Sequence, residues 1–276
     1  MTHQIILPAP HLRPFVAEYL LLHISVPASV IIPPKPFPAS PRQGLLFYAR
    51  GFLTANENNG KGALVRPRTT VFGQQISRFD YQPSPDYLMV EVVFRPGMLT
   101  KFLRLPLTEL TNHNVDAEAV LGPDVGCVNE RVANSQSYAE MITHVETYLW
   151  QRLQQVTVDR QPLDTASQLI LNRHGRVSLD EMASYACLSI SQFQRRFEAQ
   201  MGISPKLFAR IARFSWAFQH KERNPALDWL SVAVQADYHD YQHLVRDFRQ
   251  FAGVLPNTLI VEQAAAPEIR FGLDNR

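Results

Sequence analysis

Residues 191–205 read SQFQRRFEAQMGISP and residues 241–256 read YQHLVRDFRQFAGVLP, with equivalent positions fifty-one residues apart. Phe193 is echoed by Leu244, Arg195 by Arg246, Phe197 by Phe248, Gly202 by Gly253, Ile203 by Val254 and Pro205 by Pro256. In the first copy Phe193, Phe197 and Met201 recur at the period of one buried helical face, leaving Ser191, Gln194, Arg195 and Glu198 on the opposite face. The second copy turns Leu244, Phe248 and Phe251 inward and Tyr241, Gln242, Val245, Arg246 and Arg249 outward. A glycine then stops each helix and a proline starts the next.

A short helical pattern precedes each copy, LDEMASYA (179–186) and LDWLSVAVQA (227–236), and only CLS (187–189) and DYHD (237–240) lie between. Ser189 and Asp240 can each accept a hydrogen bond from the free backbone N–H groups of the helix that follows. A short helix, a tight turn and a capped second helix form a helix-turn-helix unit. An outward Gln/Arg face suits the major groove, where Arg pairs bidentately with guanine and Gln with adenine. One such helix is usually a solvated surface, but two in the same frame are not explained that way. Between them PKLFARIARFSWAFQHKE (205–222) is an unbroken helical pattern of 18 residues. Such a rod is about 27 Å long, close to the ~34 Å between successive major-groove faces.

Lys206, Arg210, Arg213, Lys221 and Arg223 along that rod, with Arg173, Arg176, Arg196 and Arg249 nearby, are expected to meet phosphates. Arg196, Lys206, Arg210 and Arg249 are the foremost candidates. Such contacts position a protein without specifying sequence. Residues 1–159 carry 13 Lys+Arg against 13 Asp+Glu and residues 160–257 carry 12 against 9, so the repeat region is +3 and the front neutral.

On these residues, about 163–260, the chain resembles the two-helix-turn-helix DNA-binding domain of the AraC/XylS family of bacterial transcription regulators. The resemblance rests on SLDEMASYACLSISQFQRRFEAQMGISPKLFARIARF, the long connecting helix and the closing Tyr, Leu-x-Arg-x-Phe, Gly and Pro of the second unit. It implies seven helices, double-stranded DNA and RNA polymerase as partners, and base-reading roles for Ser191, Gln194 and Arg195 in one unit and Tyr241, Gln242 and Arg246 in the other. Asp237 stands where the family usually has Gly, and Cys187 holds the equivalent place in the first unit. Neither favours positive φ as glycine does, which predicts strain or another turn geometry. Asp237, Asp240 and Asp247 also make the second unit the less cationic one.

The front half has a different grammar. LRPFVAEYLLL (12–22) has helical spacing, and Pro27, Pro33, Pro34, Pro36, Pro38 and Pro41 then forbid helix. GLLFYARGFL (44–53), ALVRPRTTVFG (63–73) and YLMVEVVF (87–94) read as strands, ENNGKG (57–62) as a turn, and LTKFLRL, LTEL and residues 137–156 as helices. The polar break TVDRQP (157–162) divides an N-terminal sensing or dimerising domain, 1–157, from a DNA-binding domain, 163–262. The fold class is therefore α+β, a β-rich domain closed by helices and then an all-α double helix-turn-helix. HLRPFVAEYL, VVFRPGMLTKFLRLPLTEL, VLG and VNERVANSQSYAEMITHVETYLWQRL resemble the N-terminal domain of one subgroup of the same family. That resemblance implies ligand sensing or subunit pairing on a sheet that is often cupin-like. Arg42, Arg50, Arg66, Arg68, Arg78 and Arg95 can meet an anionic effector and Tyr48, Phe72, Phe79 and Phe94 can wall an apolar one; ordinary core and solvated arginines account for the same residues.

At 276 residues and 46% hydrophobic, the chain can bury two cores. It shows no secretory leader pattern and no long apolar span, which predicts a cytoplasmic protein with no membrane partner. Cys127 and Cys187 are its only cysteines, too few for a disulfide framework or a thiolate zinc site. HDYQH (239–243) mimics a zinc-helix spacing, but Asp stands in the Glu position and His239 precedes the cap at Asp240. Among the strand residues only Glu91 offers a metal-ligating side chain. No nucleophile elbow, phosphate loop or dinucleotide fingerprint occurs, so neither an enzyme nor a cofactor is expected. The reading is a sequence-specific transcription regulator, with a small-molecule effector and a homodimer open. The alternative is a ligand receptor or protein-interaction scaffold whose second unit no longer reads DNA.

Overall fold

Branched and aromatic residues fill both faces of the central strands, so those strands have to be covered on both sides. The computed structural model, which describes residues 2–57, 63–154, 162–266 and 269, meets this demand with layers. Strands β1 (Thr2–Ile6), β2 (Val16–Ser25), β4 (Gly44–Arg50), β7 (Thr69–Phe72), β9 (Asp86–Phe94) and β10 (Asn114–Asp116) form a six-stranded sheet in the order β1-β2-β9-β4-β7-β10. Strands β3 (Lys35–Phe37), β5 (Leu53–Glu57), β6 (Ala63–Val65) and β8 (Phe79–Pro83) form a second sheet, ordered β3-β8-β5-β6. Neighbouring strands run antiparallel throughout.

The larger sheet separates two apolar layers by strand alternation. Tyr19, Leu21, Leu45, Phe47, Val90 and Val92 face helices α1 (Met98–Leu103), α2 (Ala117–Leu121), α3 (Asp124–Asn134) and α4 (Tyr138–Leu153), in a core completed by Leu99, Phe102, Val145 and Leu149. Their neighbours Leu22, Ile24, Tyr48, Tyr87 and Met89 face the smaller sheet. Residues 12–22, whose spacing predicts a helix, instead enter β2 at Val16: buried on both sides, the strand carries apolar residues in succession, and a short run of that kind has no period that distinguishes strand from helix. LTEL forms a 3-10 turn, Leu107–Leu110. The predicted strand 44–53 breaks at Gly51, whose φ of +69° and 2.0 Å separation between an added Cβ and the Asp86 carbonyl oxygen exclude any side chain. The predicted strand 63–73 likewise divides into β6 and β7.

The C-terminal domain consists, among the described residues, of seven helices: α5 (Pro162–Asn172), α6 (Leu179–Tyr185), α7 (Ile190–Met201), α8 (Pro205–Arg223), α9 (Trp229–Gln235), α10 (Tyr241–Ala252) and α11 (Pro256–Ala264). One apolar core runs from Leu163 to Leu259 through all of them. Residues 157–161 of the polar break, and most of the turn 57–62, lie outside the described residues.

The two regions are in direct contact. Lys101 of α1 pairs with the buried carboxylate of Asp164 on α5, whose Oδ1 accepts from Gln200 Nε2 at 2.5 Å. Arg78 bridges Asp80, at 2.7 Å, and Glu262 of α11, at 2.6 Å. Replacing Lys101 with Met should lower stability by about 3 kcal/mol, because a buried carboxylate would lose its cation. Lys101→Met with Asp164→Leu, which removes both charges, should recover most of that loss in chemical denaturation.

Candidate nucleic-acid interface

Each unit is built by the same local chemistry. Ser189 accepts from the Gln192 amide at 3.3 Å while Gln192 Oε1 accepts from the Ser189 amide at 3.3 Å, a reciprocal box that sets where α7 begins. Asp240 accepts from the His243 amide at 2.6 Å and starts α10. That hydrogen bond, aided by His239, holds the Asp240 carboxyl below its ordinary range. Before each cap the chain reverses through one residue at positive φ, Cys187 at 54° and Asp237 at 60°. The closing bonds also match, Leu188 N to Ala183 O at 3.0 Å and Tyr238 N to Ala233 O at 2.9 Å. The turns thus keep the left-handed geometry that glycine serves best, although neither residue is glycine. His239 is the extra residue that makes the second turn one longer.

Helix α7 buries Phe193, Phe197 and Met201 and exposes Ser191, Gln194, Arg195, Arg196 and Glu198. On α10, Gln242, Arg246 and Arg249 are exposed and Tyr241 is half-buried. Val245, expected outward, is buried at 7% exposure, because α10 is wedged between α8 and α9 and buries a wider stripe than a single row of contacts. Asp247 is also buried and does not face outward. It sits three residues beyond Leu244 and four before Phe251, on the buried stripe, a position that demands a cation.

That cation is Arg210. Its guanidinium bonds Asp247 at 2.5 Å and Gln250 at 2.7 Å and lies 5.2 Å above the Phe251 ring. Tyr238 donates to the other Asp247 oxygen at 3.1 Å, and burial with the Asp247 charge pushes its phenol far up, so it stays protonated as a donor. Arg213 stacks 5.2 Å from Tyr238 and donates to the Asp237 carbonyl at 3.2 Å. Lys221 caps the end of α8 by donating to Pro225 O at 2.8 Å and to Leu227 O, while lying over Trp229. Three of the five rod cations expected at phosphates, Arg210, Arg213 and Lys221, are therefore engaged in holding the second unit onto α8. Lys206 and Arg223 remain exposed on α8. Arg173 pairs with Glu181, and Arg176 lies over Trp216.

A cavity of about 410 Å³ lies between the two sheets of the N-terminal region and is closed at one end by α8. Of the residues expected to receive an effector, Arg42, Arg66, Tyr48, Phe72 and Phe79 line it. Arg42 is paired with Glu18 at 3.1 Å and Glu91 at 3.4 Å, while Arg66 lies over the Phe79 and Tyr81 rings. Arg50, Arg68 and Arg95 do not line it; Arg78 is held by Asp80 and Glu262, and Phe94 packs on Phe102 on the far side of the sheet. The Tyr48 hydroxyl is fully buried in the wall of this cavity, beside Thr70. No group of three or more metal-ligating side chains occurs among the described residues, and His239 lies ahead of α10, so HDYQH puts only His243 on a helix.

Residues 182–260 match a family model described as a helix-turn-helix domain, and residues 4–116 match one described as a domain of unknown function (DUF6597). No curated protein sequence matches the chain. Similar solved structures include ToxT from Vibrio cholerae O395, at 11% identity over 91% of this chain and 98% of that one with a TM-score of 0.49. Another is unsaturated fatty acid-bound ToxT from Vibrio cholerae strain SCE256, at 11% identity, 91% and 98% coverage and a TM-score of 0.46.

Because Cys187 and Asp237 hold left-handed backbone, Cys187→Gly and Asp237→Gly should each stabilise the chain by about 1 kcal/mol. Urea denaturation of the two variants measures this.

Proposed function

We propose that this chain, a DNA-binding transcription regulator with an AraC-type helix-turn-helix domain, reads its sites with α7 and α10 in successive major grooves on one face of the duplex. The observation that carries this reading is the pairing of two capped helices on one shared core, each with an exposed polar face bearing glutamine and arginine. Ser191, Gln194 and Arg195 read one half of the site and Gln242, Arg246 and the edge of Tyr241 the other. Arg196, Lys206 and Arg249 contact phosphates. Arg210 belongs to the fold, since its guanidinium neutralises Asp247 inside the domain.

The domain junction falls at 157–163, and the cavity between the sheets receives a small effector with an apolar body and a polar end. Its aromatic wall and the buried Tyr48 hydroxyl in it support that chemistry. The bound regulator recruits or blocks RNA polymerase, as a monomer spanning an asymmetric site or as a homodimer on paired sites. Duplex DNA as the target places its work in the bacterial cytoplasm.

The three arginine and lysine roles separate cleanly in binding assays on a duplex that the wild-type chain selects. Arg195→Ala should cost about 1–3 kcal/mol on that duplex and relax preference at one base pair. Lys206→Ala should weaken binding to all sequences alike and reduce the salt slope by about one. Arg210→Ala should instead lower the unfolding midpoint. An Arg195→Ala protein with unchanged base preference would contradict the reading and favour a scaffold that does not read DNA.

A further inference from the structure

An α-helix ends with carbonyl groups that have no partner within it. In α7 the Glu198 carbonyl is taken by the Gly202 amide, and the carbonyls of Gln200, Met201 and Gly202 follow. All three accept from the N-terminal region. Thr100 Oγ1 donates to Gln200 O at 2.6 Å, Gln43 Nε2 to Met201 O at 2.8 Å and Thr111 Oγ1 to Gly202 O at 2.7 Å. In α10 the Phe251 carbonyl accepts from the Ala39 amide at 2.9 Å. Beyond it, Gln263 of α11 donates to Pro36 O at 2.6 Å.

The fit is close at the first of these ends. A Cβ on Gly202 would lie 2.7 Å from both Leu107 O and Thr111 Oγ1, and one on Gly97 would lie 2.0 Å from Gln200 Nε2. Gly202 therefore has two duties: its φ of 82° ends α7, and its bare α-carbon lets the 107–111 turn reach the helix end. Gln43, only 3% exposed, makes its bond out of water, where a lost donor leaves a costly unpaired carbonyl.

Taking the proposed DNA reading as its basis, we infer that Gln43, Thr100, Thr111 and the Ala39 amide are positioning groups for both recognition helices. They hold α7 and α10 by their C-terminal ends from one body, on the side away from the exposed base-reading residues. Their bonds add a second constraint, beside α8, on the separation and tilt of the two reading faces. Spacing selectivity is then a property of the full chain.

The test uses full-length protein and a duplex selected by the wild type, with a second duplex carrying one base pair inserted between the two read blocks. Thr100→Val/Thr111→Val keeps shape and removes both hydroxyl donors; Thr100→Ser/Thr111→Ser keeps the donors. The valine variant should lose about tenfold in affinity for the selected duplex, the equivalent of one or two net hydrogen bonds. Its penalty for the inserted base pair should shrink at least severalfold relative to wild type, with salt slope and non-specific affinity unchanged. The serine variant should behave as wild type. Gln43→Leu supplies an independent variant and should shrink the same penalty. A folded valine variant with the wild-type insertion penalty would overturn the positioning role while leaving the DNA reading intact. Wild-type protein that prefers no sequence would overturn both.

Discussion

The arrangement of the C-terminal domain depends on the phenylalanines of α8. Phe208 meets Phe197 of the first unit with ring centroids 5.6 Å apart, while Phe214 lies 4.8 Å from Phe248 and 5.4 Å from Phe251 of the second. All of these rings are fully buried. One helix thus supplies core to two units that are each too small to bury a core alone, and the units cannot separate without exposing aromatic surface. At 19 residues α8 is about 28 Å long. A spacer of that length, packed at both ends, holds the two units at a fixed span.

Charge follows from the same constraint. A helix that serves as a spine carries its cations next to packed surfaces, and three of those on α8 are used there: Arg210 against Asp247, Arg213 over Tyr238, Lys221 at the helix end. Asp247 is thereby removed from the face that would meet DNA, so the second unit is less acidic at its surface than its composition indicates. Few cations remain for phosphates. On the proposed reading, sequence-independent attraction is correspondingly modest and selectivity comes from the Gln and Arg side chains on α7 and α10.

The double unit was legible because its information is local. Caps at Ser189 and Asp240, stops at Gly202 and Gly253, and the Phe193/Phe197/Met201 stripe each specify geometry within a few residues. Periodicity separates the wet from the buried face of α7 and, Val245 apart, of α10, but it does not tell which cations find partners inside the fold, as Arg210 of α8 does in Asp247. Asp247 carried the missing signal, since a carboxylate on an apolar stripe needs a cation. In the N-terminal region residues 12–22 have helical spacing although Val16–Leu22 belong to β2, because a strand covered on both faces loses its alternation. The cavity was legible only as a set of residue types, because its walls come from β2, β4, β7, β8 and β9 and from α8, far apart in the chain. The contacts of Gln43, Thr100 and Thr111 with α7 leave no trace in sequence at all.

The most direct measurement is selection from randomised duplex DNA by the full-length chain at about 0.15 M salt, where non-specific phosphate binding is suppressed. Two short enriched blocks about one helical turn apart are the result that a packed α8 and two reading helices require. Absence of any enriched sequence, or enrichment of one block alone, would contradict a pair of recognition helices held at fixed span.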